Sequence, residues 1–255
     1  MWRTALLTAC LVLAGYAAAL WTTHDFQVWT AEGARRLEVA LKPVPAPSVE
    51  VDGPAIQPIS LAVLLRGGSG VPVTSGALNN EDGTAKTANV GAPSGAKPAV
   101  TLVDFVYTRC QTVCLSLGSS FQQMQASLLG DRVSGQDSGV QLLSISFDGT
   151  YDTPAALAAY ALRLRADPRI WRFARVADAT QTEQLLRQFE VVVVPDGRGD
   201  YEHNAAFLVF DPHGRLVRIF DLAEQQLALD YARHLARKSL LHTASVSGVS
   251  GVSSP

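Results

Sequence analysis

Hydrophobic and polar positions change their period several times along the 255-residue chain, and each change predicts a boundary. After Arg3 no Asp, Glu, Lys or Arg appears until Asp25, and Ala5 to Trp21 is dominated by Ala and Leu. A run of that length makes a helix of about 25–30 Å, enough to cross the core of a bilayer. Residues 1–23 are therefore expected to be a transmembrane anchor or a signal segment. Ala17-Ala18-Ala19 offers a small-residue cleavage site, although the apolar run continues past it through Leu20 and Trp21. A three-residue N-terminal tail ahead of a large soluble portion puts that portion outside the cytoplasm, at the periplasmic face of the inner membrane in a bacterium. Residues 24–98 read as a linker and loop-rich extension. Pro43, Pro45, Pro47, Pro54 and Pro58 favour extended chain, Ile59 to Leu65 has the apolar character of a strand, and Gly67 to Lys97 has no sustained period.

From about residue 99 the pattern becomes regular. Val100 to Tyr107 is a β-branched run, as in a buried strand, and Leu117, Phe121, Met124 and Leu128 repeat at helical spacing. Val140 to Phe147 is a second strand. Thr153-Pro154 opens a helix to about Ala166, and Thr180-Gln181-Thr182-Glu183 has the form of a capping box for another. Ala205 to Phe210 and Leu216 to Phe220 flank the turn Asp211-Pro212-His213-Gly214, and Leu227, Tyr231, His234 and Leu235 mark a last helix. The order βαβα, then a hairpin, then a helix predicts an α/β, thioredoxin-like fold over residues 99–241: a central mixed sheet flanked by helices. Residues 242–255, rich in Ser, Val and Gly, are expected to be disordered.

Charge narrows the function classes. Lys plus Arg number 21 against 23 Asp plus Glu, a balance that excludes a polybasic nucleic-acid binder. Three cysteines are too few for a disulfide-built scaffold and enough for one reactive or metal-binding pair.

That pair is Cys110 and Cys114, in Val106-Tyr-Thr-Arg-Cys110-Gln-Thr-Val-Cys114. It leaves a buried strand and enters a helix, where free N–H groups and the helix dipole stabilise a thiolate. Residues i and i+4 share a helix face, with Cα atoms about 6 Å apart, within disulfide reach. The spacing therefore suits dithiol–disulfide exchange or a soft metal, and an inert structural disulfide is the plainer alternative. Of five histidines, His24 abuts the apolar segment, His242 begins the tail, His213 sits in a turn and His234 on the last helix. His203 stands in the loop before the strand Ala205 to Phe210, which in a thioredoxin-like sheet passes opposite the active-site helix. It is thus a candidate third ligand. Arg109 is either a modulator of its neighbouring thiol or a solvated side chain. Asp148 and Asp152 are expected to order the loop beside the site, and Tyr107 and Tyr201 to pack.

These residues resemble a known family. Phe105 to Cys114, Leu143-Ser-Ile-Ser-Phe-Asp148, Asp152-Thr153-Pro154, His203 and Asp211-Pro-His-Gly214 are similar to the SCO/SenC/PrrC family over about Val100 to Leu235. The chain departs from that family's common form with Gln111 and Leu115 after the cysteines and Gly149 after Asp148. The resemblance implies a membrane-anchored, thioredoxin-fold copper protein serving cytochrome c oxidase assembly, with Cys110, Cys114 and His203 as ligands of Cu(I) or Cu(II). It implies cytochrome c oxidase subunit II as the partner, through its binuclear copper centre. A thioredoxin-like reductant or another copper carrier would be a second partner. The alternatives are a membrane-anchored thiol–disulfide oxidoreductase, with Cys110 attacking and Cys114 resolving, and a redox or copper sensor.

Overall fold

The computed structural model describes residues 2–23, 28–67, 99–110, 113–198 and 200–249, and the chain divides into two units, Met1–Pro43 and Val44–Pro255. The first holds α1 (Trp2–Thr22), a 21-residue helix long and apolar enough to cross a membrane. It also holds α2 (Ala31–Leu41), where the sequence reading expects linker. That helix begins where the Thr30 hydroxyl accepts from the Gly33 N–H, and Glu32 binds both Arg35 and Arg36 one turn later.

The second unit is built around a sheet. Its strands are β1 (Val44–Pro45), β2 (Glu50–Gly53), β3 (Ile56–Ser60), β4 (Val100–Val106), β5 (Val140–Ser146), β6 (Trp171–Arg175), β7 (Val193–Pro195), β8 (Tyr201–His203), β9 (Ala206–Phe210) and β10 (Arg215–Asp221). Its helices are α3 (Leu61–Leu65), α4 (Val113–Val133), α5 (Pro154–Arg163), α6 (Ala179–Gln188) and α7 (Gln225–Val249). Every residue of β4 is buried, as befits a strand covered on both faces. It pairs in parallel with β5, from Val100↔Val140 to Val106↔Ser146, and antiparallel with β9. Among the described residues the order is β1-β10-β9-β4-β5-β6-β2-β3, a mixed sheet of eight strands, while β7 and β8 form a separate two-stranded ribbon.

Aromatic contacts show how the layers pack. Phe121 of α4 stacks on Phe207 of β9 and meets Trp171 of β6 edge-on, with ring centroids 5.8 and 5.5 Å apart. Tyr160 of α5 meets Phe173 on the same side of β6. Phe105 and Phe210 project to the other face, against Phe189 at the end of α6. Strand alternation then turns Asp104 toward the α4 face.

The expected linker is where the structure departs most from the sequence reading. Residues 44–65 supply three strands and a helix of the second unit, so that unit begins well before residue 99. The prolines misled because proline is tolerated in edge strands: Pro45 lies in β1 and Pro58 in β3, the two outermost strands of the sheet. Of the apolar run Ile59 to Leu65, only its first two residues are strand, and Leu61–Leu65 is a buried helical turn. The expected loop from Gly67 to Lys97 lies, after Gly67, outside the described residues. Of the expected tail, residues 242–249 continue α7, since Ser, Thr and Val cost a helix only tenths of a kcal/mol each and no Gly or Pro intervenes before Gly248, while 250–255 lie outside the described residues. At α6 the N-cap is Asp178, whose carboxylate accepts from the Gln181 N–H at 2.8 Å, two residues ahead of the predicted Thr180.

Candidate metal centre

β4 delivers the first cysteine by a tight turn, in which the Cys110 N–H donates to the Tyr107 carbonyl at 3.2 Å. Cys114 is the second residue of α4, and its backbone N–H, one of the four that a helix start leaves free, donates to Cys110 Sγ at 3.3 Å. Helix formation thus directs an N–H at the first sulfur. Cys110 is 5 % exposed and Cys114 fully buried, and neither is in a disulfide. The Cys110 sulfur beside it, reinforced by burial, pushes the Cys114 thiol well above its ordinary pKa. The pair is therefore asymmetric. Cys114 is held toward its protonated form, and the Cys110 sulfur receives an N–H from the helix start.

The turn is held from below by a buried carboxylate. Asp152 accepts from the Thr108 N–H, the Thr108 hydroxyl and the Ser146 hydroxyl, and so joins the ends of β4 and β5. Arg109 is engaged by the neighbouring loop. Its guanidinium binds Asp148 at 2.6 Å and lies 4.2 Å over the Tyr151 ring, and the Asp148 contact raises its pKa. Asp148 and Asp152 thus order the loop, as expected, and Arg109 is committed to that loop. Gly149 follows Asp148 because the loop leaves no room for a side chain: a Cβ there would fall on the carbonyl oxygen of Val176.

His203 arrives on the separate β7–β8 ribbon. Its Nε2 lies 3.6 Å from Cys114 Sγ, and its ring packs edge-to-face on Phe147 at 5.3 Å. Burial lowers its pKa, against an opposing pull from Cys110, so the imidazole is neutral and able to donate a lone pair to a metal. His213 and His234 are exposed in the β9–β10 turn and on α7, and His24 lies outside the described residues.

The structure thus brings Cys110, Cys114 and His203 to one place, with Cys114 as the common neighbour. No group of three His, Cys, Asp or Glu side chains is already assembled at coordinating distance among the described residues. Metal–sulfur and metal–imidazole bonds of about 2.3 and 2.0 Å, opened to about 110–120°, separate S and N by about 3.5–3.7 Å. The observed Cys114–His203 separation of 3.6 Å fits that span. Two thiols and an imidazole make a donor set for a soft metal.

Two residues escape sequence reasoning. The Tyr107 hydroxyl contacts Asp200 and both backbone groups of Tyr201, where the sequence reading expects packing alone. Asp104 is buried in β4 with neither carboxylate oxygen in hydrogen-bond geometry, and burial, partly offset by Ser144, raises its pKa to about 7. Its only sequence signal is a carboxylate inside an otherwise apolar strand.

The fold and the paired cysteines define a thioredoxin-like protein with a dithiol at the strand-to-helix junction. Comparison with known proteins carries this further. The sequence model of SCO1/SenC matches residues 84–237, and the chain belongs to that family. A curated relative, the SCO1 protein homolog of Bacillus subtilis, is 26% identical over 149 residues, covering 58% of this chain and 72% of its own. Among solved structures, a protein of Aquifex aeolicus VF5 described as a candidate electron transfer protein superposes with a TM-score of 0.54 at 14% identity, over 76% of this chain and 94% of its own. That likeness speaks to the fold. Bradyrhizobium japonicum ScoI, solved with copper bound, is 26% identical over 55% of this chain and 86% of its own, with a TM-score of 0.44.

Proposed function

We propose that this protein is a membrane-anchored copper metallochaperone for cytochrome c oxidase, with Cys110, Cys114 and His203 holding the copper. Its acceptor is the binuclear copper centre of subunit II, and its soluble portion works outside the cytoplasm, with α1 as anchor. The observation that carries the reading is the neutral His203 imidazole 3.6 Å from Cys114 Sγ, with Cys110 on that residue's amide. Proteins of this family take part in cytochrome c oxidase assembly, and solved structures of the family hold copper.

Copper is the cargo. The two thiolates grip Cu(I) as a soft ion, and the imidazole completes a site that also accepts Cu(II). Release proceeds by ligand exchange: an incoming thiolate or imidazole of the acceptor displaces His203 first, leaving copper on two sulfurs, which are then replaced in turn.

The thiol asymmetry favours a second reading, reduction of an exported partner's disulfide. Cys110 as thiolate attacks one partner sulfur, and the other partner sulfur leaves and takes a proton. Cys114 then loses its proton and attacks Cys110, and the first partner sulfur leaves as a thiol. Two electrons pass to the partner, and an outside dithiol, such as a thioredoxin-like reductant, restores the pair.

Copper titration of the reduced full chain in detergent separates the two. The expected result is one tight equivalent that is lost in Cys110→Ser and Cys114→Ser, with a sulfur-to-Cu(II) charge-transfer band lost in His203→Ala while Cu(I) stays bound. Absence of tight copper, with a readily cycled Cys110–Cys114 disulfide, would leave reduction as the function.

A further inference from the structure

The ribbon that carries His203 lies outside the main sheet, yet its imidazole must stand at a fixed place. Its own hydrogen bonds show how this is arranged. The Asp196 N–H donates to the Asp200 carbonyl and the Asn204 N–H to the Val192 carbonyl, so the hydrogen-bonded pairs fall at 196 with 200, 192 with 204 and, by alternation, 194 with 202. The pairs Pro195↔Tyr201 and Val193↔His203 are then the non-bonded ones, and the N–H and C=O of Tyr201 point away from β7. Among the described residues no strand pairs on that side. The Tyr107 hydroxyl takes its place: it accepts from the Tyr201 N–H at 3.2 Å and faces the Tyr201 carbonyl at 3.1 Å and Asp200 Oδ1 at 3.3 Å.

We propose that Tyr107 is a positioning residue whose hydroxyl holds β8 in register against the end of β4 and thereby sets His203 for Cu(II). This rests on the copper reading above. Residues 201 and 203 share a face of β8, and both rings pack on Phe147, with centroids 5.6 and 5.3 Å away. An aromatic wall of that kind resists separation but tolerates sliding. The directional bonds from Tyr107 to the backbone of residue 201 oppose sliding, and the imidazole two residues on inherits the constraint. Cu(I) can rest on the two thiolates, whereas Cu(II) is the state that gains most from the imidazole. Loosening the ribbon therefore weakens Cu(II) selectively.

The test is Tyr107→Phe in the reduced full chain, which deletes one oxygen and keeps the ring. In the metal-free protein the amides of Tyr201 and of Glu202, which pairs with Val194, should exchange roughly tenfold faster, the worth of a lost pair of net hydrogen bonds, with β4 and β5 unchanged. Cu(II) should bind roughly tenfold more weakly with a shifted charge-transfer band, and Cu(I) affinity should hold. Wild-type exchange at Tyr201 and Glu202 would overturn the clamp whatever copper does. Equal weakening of Cu(I) and Cu(II) would overturn it also, because the hydroxyl would then act on the thiols. His203→Ala, measured alongside, tells the two failures apart: if that variant keeps Cu(II), the imidazole is no ligand and the copper reading itself falls.

Discussion

The two halves of the candidate site are built in opposite ways. The cysteines follow β4, a strand buried along its whole length and paired on both sides, and their turn is braced by Asp152. The histidine is the last residue of β8, a three-residue strand that pairs with β7 in a separate ribbon whose Val192 and Val194 are 57% and 52% exposed. On the proposed copper reading that inequality suits a carrier: the stiff thiols would retain the cargo, and an imidazole on the separate ribbon would leave first when an acceptor's ligand arrives.

That contrast can be broken at the stiff half first. Phe121→Ala empties the contact among α4, β6 and β9 and should cost about 3–5 kcal/mol of stability, read by denaturant unfolding. The contrast fails if copper binding disappears with no loss of stability.

Asp104 sharpens the contrast through pH. Its carboxyl sits at about 7 in the folded protein against an ordinary 3.8, so between those values the folded state holds a proton that the unfolded state has lost. Stability is then greatest below pH 4 as far as this group is concerned, and falls as pH rises toward 7, by up to roughly 1.4 kcal/mol per unit. Asp104→Asn should remove that slope and leave ribbon exchange untouched. An unchanged slope in the variant would show that other groups set it.

The smallest effect belongs to the ribbon's base. Asn204 accepts from the Val192 N–H at 2.7 Å and donates to the Glu190 carbonyl at 3.1 Å. Asn204→Ala should cost under about 1 kcal/mol in global unfolding while speeding amide exchange across β7 and β8. A global loss as large as that of Phe121→Ala would mean that the ribbon is part of the core.

What could be read from the sequence follows the same divide. β4, β5, α4 and the β9–β10 hairpin carry strong local periods, and Cys110 and Cys114 are visible as a pair because four residues separate them. β6 carries a period of two, Trp171 and Phe173 alternating with Arg172, yet its flanks of turn residues hid it. β1 and β3 were hidden because Pro45 and Pro58 also suit a linker, and only the neighbouring strand shows that they end a sheet; β2, four residues with Asp52 and Gly53, has too short a pattern to be read alone. The Tyr107 clamp had no local signal at all, since a phenol three residues before a cysteine says nothing about which backbone it meets in residues 200 and 201.

The prolines in the outermost strands have a consequence beyond misdirection. An unpaired strand at the rim of a sheet is a template on which another chain can lay a strand of its own. Pro45 in β1 and Pro58 in β3 each delete one of the amide donors that such growth would require, one at either end of the eight-stranded sheet. The sheet therefore ends itself on both sides, and copies of the protein crowded together gain little by adding to it edge to edge.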